Sequence, residues 1–504
     1  MPSILRNSFF LYVRLFITLL ISLYSSRVLL NVLGVEDFGI YNVVAGFVSL
    51  AMFFRNTLVD AIQRYLTIAV GKKDIQEFNN IYCTSLNING VLSVILLILF
   101  FSVGIWFVLT QLVYPVEKTS DVLWVYSSSC ISFILGILSS TYIAAIVAYE
   151  RMDAYAYIGI ISAMLKLGAI LLLNYCFDNG KELIIYSILI LAVAFIETII
   201  QYLFLRFVTA GTKYRFYFDK VLFRSMLGFS GWNTISSGAI LLISQGGNIL
   251  LNLFGGPIVN AANGIAYQVM GAVRQFSSSF QNATNPRITK YYAQEEIDKM
   301  LDLCLIASKG SFLVFFLICV PLSLHIDFVL QLWLVDVPEY ASLFCILVLS
   351  TALFEAIGYP IITAIRAVGN LKGYQVWVSS ILIMALPISY ILLKYGFPLY
   401  IVYVVNLFLT IIASLTRIIY LHKLINFNIR LFLISLCKPI FYVIIVTVPI
   451  CMGVIAIIPH LPLLTIPLIG LITLSFIFYI GLTSQERIKI FSVWKNLKGK
   501  KIVC

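Results

Sequence analysis

Apolar residues in this chain fall in long continuous runs, separated by short polar segments that are mostly basic. A helix that crosses a bilayer needs about 20 mainly apolar residues. Runs of that length lie near 9–33, 38–66, 86–112, 122–148, 154–177 and 183–205. After a polar stretch they resume near 226–254, 261–284, 303–326, 341–366, 374–394, 399–421, 434–458 and 463–482. The pattern predicts an all-α polytopic membrane protein with about 14 transmembrane helices. The opening MPSILRNSFFLYVRLF has no small-residue cleavage site after its apolar run, so that run is read as a first span.

Charges between the runs give an orientation. With the N-terminal side called inside, the inside segments and the tail carry 24 Lys and Arg; the outside loops carry Lys118, Lys181 and Lys394. By the positive-inside rule both termini are expected in the cytoplasm.

Composition narrows the class further. Of 504 residues, 61% are hydrophobic and 11% charged, against roughly a quarter charged in soluble domains. The net charge of +12 is dispersed among interspan segments, so nucleic acid is excluded as a partner. Nine cysteines show no CxxC or Cys/His ligand spacing, and none of the three histidines (His325, His422, His460) is paired with carboxylates at catalytic spacing. No metal and no cofactor is implied. A GxxxxGK[ST] motif is absent, and an enzyme is not expected.

The polar interruption TAGTKYRFYFDKVLFRS (209–225) follows six spans. VLLNVLG (28–34) closes span one and ILLNLFG (249–255) closes span seven. Each is followed by a polar-flecked helix ending in an arginine, Arg64 or Arg287. This reads as a six-plus-six duplication with both halves in the same orientation. The expected organisation is an N-terminal lobe 1–208, a basic linker 209–225, a C-terminal lobe 226–421, two further spans in 422–482, and a basic amphipathic tail 483–504 on the inner leaflet. Gly34 and Gly255 are expected to break the helix in each half.

Seven basic residues fall inside spans: Arg14, Arg27, Arg55, Arg64, Lys166, Arg274 and Lys309. A cation at the bilayer centre costs about 3 kcal/mol on insertion scales. Snorkelling to a helix end accounts for Arg64 and Lys309, whereas Arg55, Lys166 and Arg274 lie nearer mid-span. The intramembrane acids are Asp60, Glu197 and Glu355, candidates for ion pairing or for coupling to a cation. Cations outnumber acids, so an anionic ligand is the natural complement. On span eight, Asn263, Tyr267, Arg274, Ser278 and Gln281 recur at three- or four-residue steps, and Asn248 lies on a similar stripe of span seven. Such stripes line hydrated cavities or join helices to one another.

The stretch SRVLLNVLGVEDFGIYNVVAGFVSLAMFFRNTLVDAIQRY (26–65), with its LG-x-E-x-F-G-I-Y core at Gly34–Tyr41, resembles the multidrug/oligosaccharidyl-lipid/polysaccharide exporter superfamily, specifically its polysaccharide (Wzx-type) flippases. The resemblance implies two six-helix lobes that alternate between inward and outward openings. It implies translocation of an undecaprenyl-pyrophosphate-linked oligosaccharide, an O-antigen or capsular precursor, across the bacterial inner membrane. It also implies arginines on spans one, two and eight as pyrophosphate ligands; here those are Arg27, Arg55 and Arg274, with Arg14 and Lys166 as further candidates. Expected partners are the lipid-linked oligosaccharide, membrane lipids, and a polysaccharide polymerase with chain-length proteins. The alternative is a cation-coupled multidrug or metabolite antiporter, but the acid that such exporters often carry in span one is missing. A scaffold without transport has no use for intramembrane arginines on a polar stripe.

Overall fold

The computed structural model describes residues 2–149, 151–176, 180–208, 214–369, 371–459 and 461–488. Among them there are helices and no strands. In chain order the helices are α1 (Pro2–Ser49), α2 (Met52–Lys72), α3 (Ile75–Leu99), α4 (Ile105–Thr110), α5 (Thr119–Ala148), α6 (Met152–Cys176), α7 (Glu182–Val208) and α8 (Lys220–Ala293). They continue with α9 (Ile297–Leu324), α10 (Ile326–Trp333), α11 (Ala341–Val368), α12 (Leu371–Ile383), α13 (Ala385–Lys394), α14 (Ile401–Ile425), α15 (Ile429–Ile457) and α16 (Pro462–Phe476).

Twelve stretches among the described residues are long and apolar enough to cross a membrane. Two of them, Val13–Ser49 and Leu241–Gln275, each contain one non-helical residue. Gly34 (φ 74°, ψ 172°) breaks α1 and Gly256 (φ 72°, ψ −173°) breaks α8, so each of these two stretches holds parts of two hydropathy runs; the run 38–66 continues past Ser49 into α2, which is not among the twelve. Only glycine adopts this backbone region without strain. The second break falls one residue beyond the expected Gly255. Gly255 itself is helical, and a methyl there would press on Val259 and Leu399.

Other ends are set by ordinary caps. Lys73 closes α2 in the left-handed region, and the Asp74 side chain accepts from Glu77 N–H at 2.8 Å to open α3. The Asn428 side chain does the same for α15 at Leu431 N–H, 3.0 Å. The polar stretch after span six is partly helical, since α8 begins at Lys220. Of the expected amphipathic tail, 489–504 lies outside the described residues.

The chain forms two compact units. Unit 1 holds Met1–Gly264, Trp333–Ala341 and Ala385–Val402; unit 2 holds Ile265–Leu332, Ser342–Met384 and Tyr403–Cys504. The core of unit 1 is built from Leu58, Ile62, Phe78, Ile81, Ile146 and their neighbours on α2, α3, α5, α6 and α7. Unit 2 centres on Phe312, Phe316, Ile361, Ile365, Leu436 and Val443. Large apolar side chains such as Phe16, Trp106, Phe195 and Leu463 stay exposed. In water they would form aggregating patches, but hydrocarbon solvates them, so helix association rests on packing and internal polar contacts.

Unit 1 shows how close that packing is. The backbone of Gly39 lies directly on the Pro257 carbonyl, leaving no room for a side chain. Beside it runs a chain of asparagines. Asn252 is fully buried; its amide donates to Val113 O at 3.1 Å and to Asn260 Oδ1 at 2.9 Å, and its oxygen accepts from Val113 N–H at 2.8 Å. Asn260 donates to the backbone and side-chain oxygens of Asn248, both at 2.7 Å, and Asn263 donates to Asn248 Oδ1 at 2.8 Å. Asn248 then donates to the Asn42 carbonyl at 3.3 Å. Nearby, Lys118 pairs with Asp37 at 2.9 Å. At this end of unit 1, the end that loop charge assigns to the outside, α1, the loop after α4 and the first part of α8 are held together.

Candidate functional site

Inside unit 1, α2, α5, α6 and α7 pack around a cavity of about 250 Å³. Its wall carries Arg55 from α2, Lys166 from α6, and Glu197 and Gln201 from α7. Lys166 Nζ stands 3.3 Å from Glu197 Oε1, and Ser162 one turn earlier donates its hydroxyl to the same oxygen. The Arg55 guanidinium lies over Gly136 of α5, within electrostatic reach of Glu197 and Tyr155. Tyr155 also stacks under the Arg14 guanidinium, 4.4 Å from ring centroid to Cζ. Two cations thus face one carboxylate inside the cavity, and Arg14 waits behind an aromatic ring.

The rest of the wall mixes apolar residues, among them Ala45 and Val48 of α1 and Phe133, Ile190 and Ala194, with hydroxyls. Ser129, Ser132, Gly136 and Ser139 line it from α5 at helical spacing. The Ser132 hydroxyl and the Gln201 side-chain oxygen are buried without hydrogen-bond partners among the described residues. The sequence reading passed over this serine face, although the phase argument applied to span eight would have found it in SSSCISFILGILSS.

Unit 2 carries a second charged pair. Arg274 of α8 is bonded to Glu355 of α11, with Tyr267 and Tyr359 within electrostatic reach. Both charged side chains are part-exposed, 39% and 32%. Arg417, counted as a loop residue from the sequence, lies buried in α14 at 8% exposure. It donates through Nε to the Tyr374 hydroxyl at 3.3 Å and rests on Gly358, three residues from Glu355.

The remaining expected site residues divide. Arg27 is exposed on α1. Asn248 and Asn263 belong to the asparagine chain of unit 1, where they bond to one another rather than line an open wall. Tyr267 joins the Arg274 pair. The side chains of Asp60, Ser278 and Gln281 lie outside the described residues. Lys309, expected to snorkel, is instead 2% exposed and paired with Glu486 at 2.6 Å.

The family described as "Polysaccharide biosynthesis protein" matches residues 4–292, more than half of the chain. The chain belongs to this family. The matched region carries the whole Arg55 cavity and the asparagine chain. The structure is similar to "Lipid II flippase MurJ, inward closed conformation", with a TM-score of 0.64 and 15% identity over 92% of this chain and 97% of that one. It is similar to an inward-facing multidrug resistance MATE family transporter of the MOP superfamily, with a TM-score of 0.62 and 12% identity over 81% and 94%. An outward-facing member of that transporter family gives 0.54 and 14% over 84% and 96%. At these identities the likeness is one of fold. No curated protein matches by sequence.

Proposed function

We propose that this multi-pass membrane protein of the polysaccharide biosynthesis family is a flippase. Its substrate would be an undecaprenyl-pyrophosphate-linked oligosaccharide, an O-antigen or capsular repeat unit, moved across the bacterial inner membrane by alternating access. Both termini would be cytoplasmic, and a polymerase with chain-length proteins would take the product. No covalent chemistry is required. The observation that carries the reading is the cavity of unit 1, where Arg55 and Lys166 face the single carboxylate of Glu197 among serines.

In this mechanism Arg55 offers its planar fork to a phosphate, and Lys166 exchanges Glu197 for the same anion. The serines and Gln201 meet hydroxyls of the first sugars, while the polyprenyl tail stays in lipid. Arg27 and Arg14, and in unit 2 Arg274 where it pairs with Glu355, are further candidate ligands for an anion. Opening of the end of unit 1 expected to face outside would require breaking the asparagine chain. A cation-coupled antiporter is disfavoured because the first span, 9–33, carries Arg14 and Arg27 and no acid.

Arg55→Ala and Arg274→Ala in a strain that depends on this protein should abolish surface polysaccharide at unchanged protein level. Wild-type polysaccharide from both variants would sink the assignment. Arg55→Lys separates charge from bidentate geometry, and partial rescue is expected.

A further inference from the structure

Unit 2 contains a second cavity, of about 420 Å³, that the flippase reading does not use. It lies among the first half of α9, the first part of α15 and the segment after α16. Its charged residues are Asp302, Lys309, Lys438 and Glu486. Lys309 is 2% exposed and its ammonium has three N–H groups, of which one is bonded, to Glu486 Oε2. The Glu486 carboxylate is held further by Thr483 N–H at 2.8 Å. That leaves Lys309 with donors to spare in the wall of an open cavity, whose Asp302 and Lys438 are exposed. Lys438 and Asp302 line the cavity with no partner among the described residues.

Backbone chemistry adds one more group. Pro439 in α15 has no N–H, so the carbonyl of Ser435, a wall residue one turn earlier, lacks its usual donor four residues on. The cavity therefore presents a cationic side from Lys309 and Lys438, and an acceptor side from Asp302 and the Ser435 carbonyl. Leu305, Ile306 and Ile434 supply an apolar wall, and Ile434 is half exposed at 51%. The cavity lies toward the starts of α9 and α15 and just past the last apolar stretch. Lys438 lies nine residues into α15, about 14 Å along the helix, and Thr483 follows directly on the last span.

We propose that this cavity binds the headgroup of an amine-bearing zwitterionic glycerophospholipid, a phosphatidylethanolamine, with phosphate on Lys438 and Lys309 and ammonium on Asp302 and the Ser435 carbonyl. The four charged side chains cancel, so a neutral dipolar headgroup leaves no charge uncompensated. A pyrophosphate or phosphatidylglycerol headgroup would add net negative charge and leave Asp302 without a cation. A phosphatidylcholine headgroup has a quaternary ammonium that cannot donate a hydrogen bond to either acceptor. The lipid joins α9, α15 and the segment after α16 at the inner leaflet.

The test uses the purified full chain in detergent, titrated with short-chain phosphatidylethanolamine, phosphatidylcholine and phosphatidylglycerol by calorimetry. Wild type should bind phosphatidylethanolamine at least about tenfold more tightly than the other two, the worth of one charge-assisted hydrogen bond. Lys438→Ala should lose that preference, and Asp302→Asn should shift it toward phosphatidylglycerol. Free phosphoethanolamine should compete weakly. Equal binding of the three lipids by wild type, tightest binding of phosphatidylglycerol, or phosphoethanolamine binding as tightly as the lipid would each overturn the proposal. Wild-type selectivity decides the matter even if a variant does not fold. No transport readout enters, so this proposal and the flippase reading fail separately.

Discussion

Asn252 offers the sharpest test of how this end of unit 1, expected to be the outer one, is held. Its side chain makes three hydrogen bonds, two to the backbone of Val113 and one to Asn260, at 2.8–3.1 Å and with no exposure. In membrane proteins an interhelical hydrogen bond averages about 0.6 kcal/mol. Three of them give about 2 kcal/mol, a shift of about 30-fold in an opening equilibrium. Asn252→Ala removes all three bonds and leaves both Val113 groups without them. Hydrogen exchange followed by mass spectrometry on the purified protein reads the effect directly, because protection of a segment reports its local opening free energy. Exchange in segments 110–118 and 252–262 should quicken by about 30-fold, with the α9 segment 300–320 unchanged. Unchanged exchange at the outer end would refute the argument, and so would a uniform rise along the chain. The first outcome would mean that the bonds carry no net energy, the second that the substitution loosens the whole fold.

Other expectations concern charge and backbone. Lys309→Met leaves the Glu486 carboxylate, 13% exposed, without its cation, at a cost of about 3 kcal/mol in thermal unfolding; the double variant Lys309→Met with Glu486→Leu should recover most of it. Burial pushes the Glu486 pKa up, but Lys309 and the Thr483 N–H more than offset this and hold it below its ordinary value. Its contribution is therefore present above the unfolded pKa, about 4.3, and lost as pH falls through the lower folded value. Accordingly, the melting-temperature gap between wild type and Glu486→Gln should close at acid pH. Gly34→Ala and Gly256→Ala each force a side chain into a region reserved for glycine, at about 1–3 kcal/mol, and should lower the yield of folded protein. Gly39→Ala should be worse than Gly71→Ala, because a methyl at Gly39 meets the Pro257 backbone whereas Gly71 has open space.

Part of the candidate site was legible in the sequence because an ionised group in a span is conspicuous. Arg55, Lys166, Glu197, Arg274 and Glu355 stand out from apolar neighbours by their desolvation cost alone. Their pairing was not legible. Glu197 was available to several cations, and only the packing of α6 on α7 brings Lys166 to it. Arg417 was hidden by its nearness to a loop, since distance along the chain does not tell which face of α14 turns inward.

The words VLLNVLG and ILLNLFG mark the same division. What the sequence determined alone was the material of the protein: helices and their span pattern, with an expected orientation and an expected duplication. Transfer into hydrocarbon is nearly additive along a segment, so each run declares itself without reference to the others. Tertiary structure decided what each polar group does. Asn31 and Asn252 occupy the same place in the two words, yet Asn31 is exposed while Asn252 binds the turn at Val113. The break in the second word moved to Gly256, and Lys309 found its counter-ion 177 residues away in Glu486. A hydrogen bond or an ion pair depends on a distance of about 3 Å, and helix packing alone sets that distance.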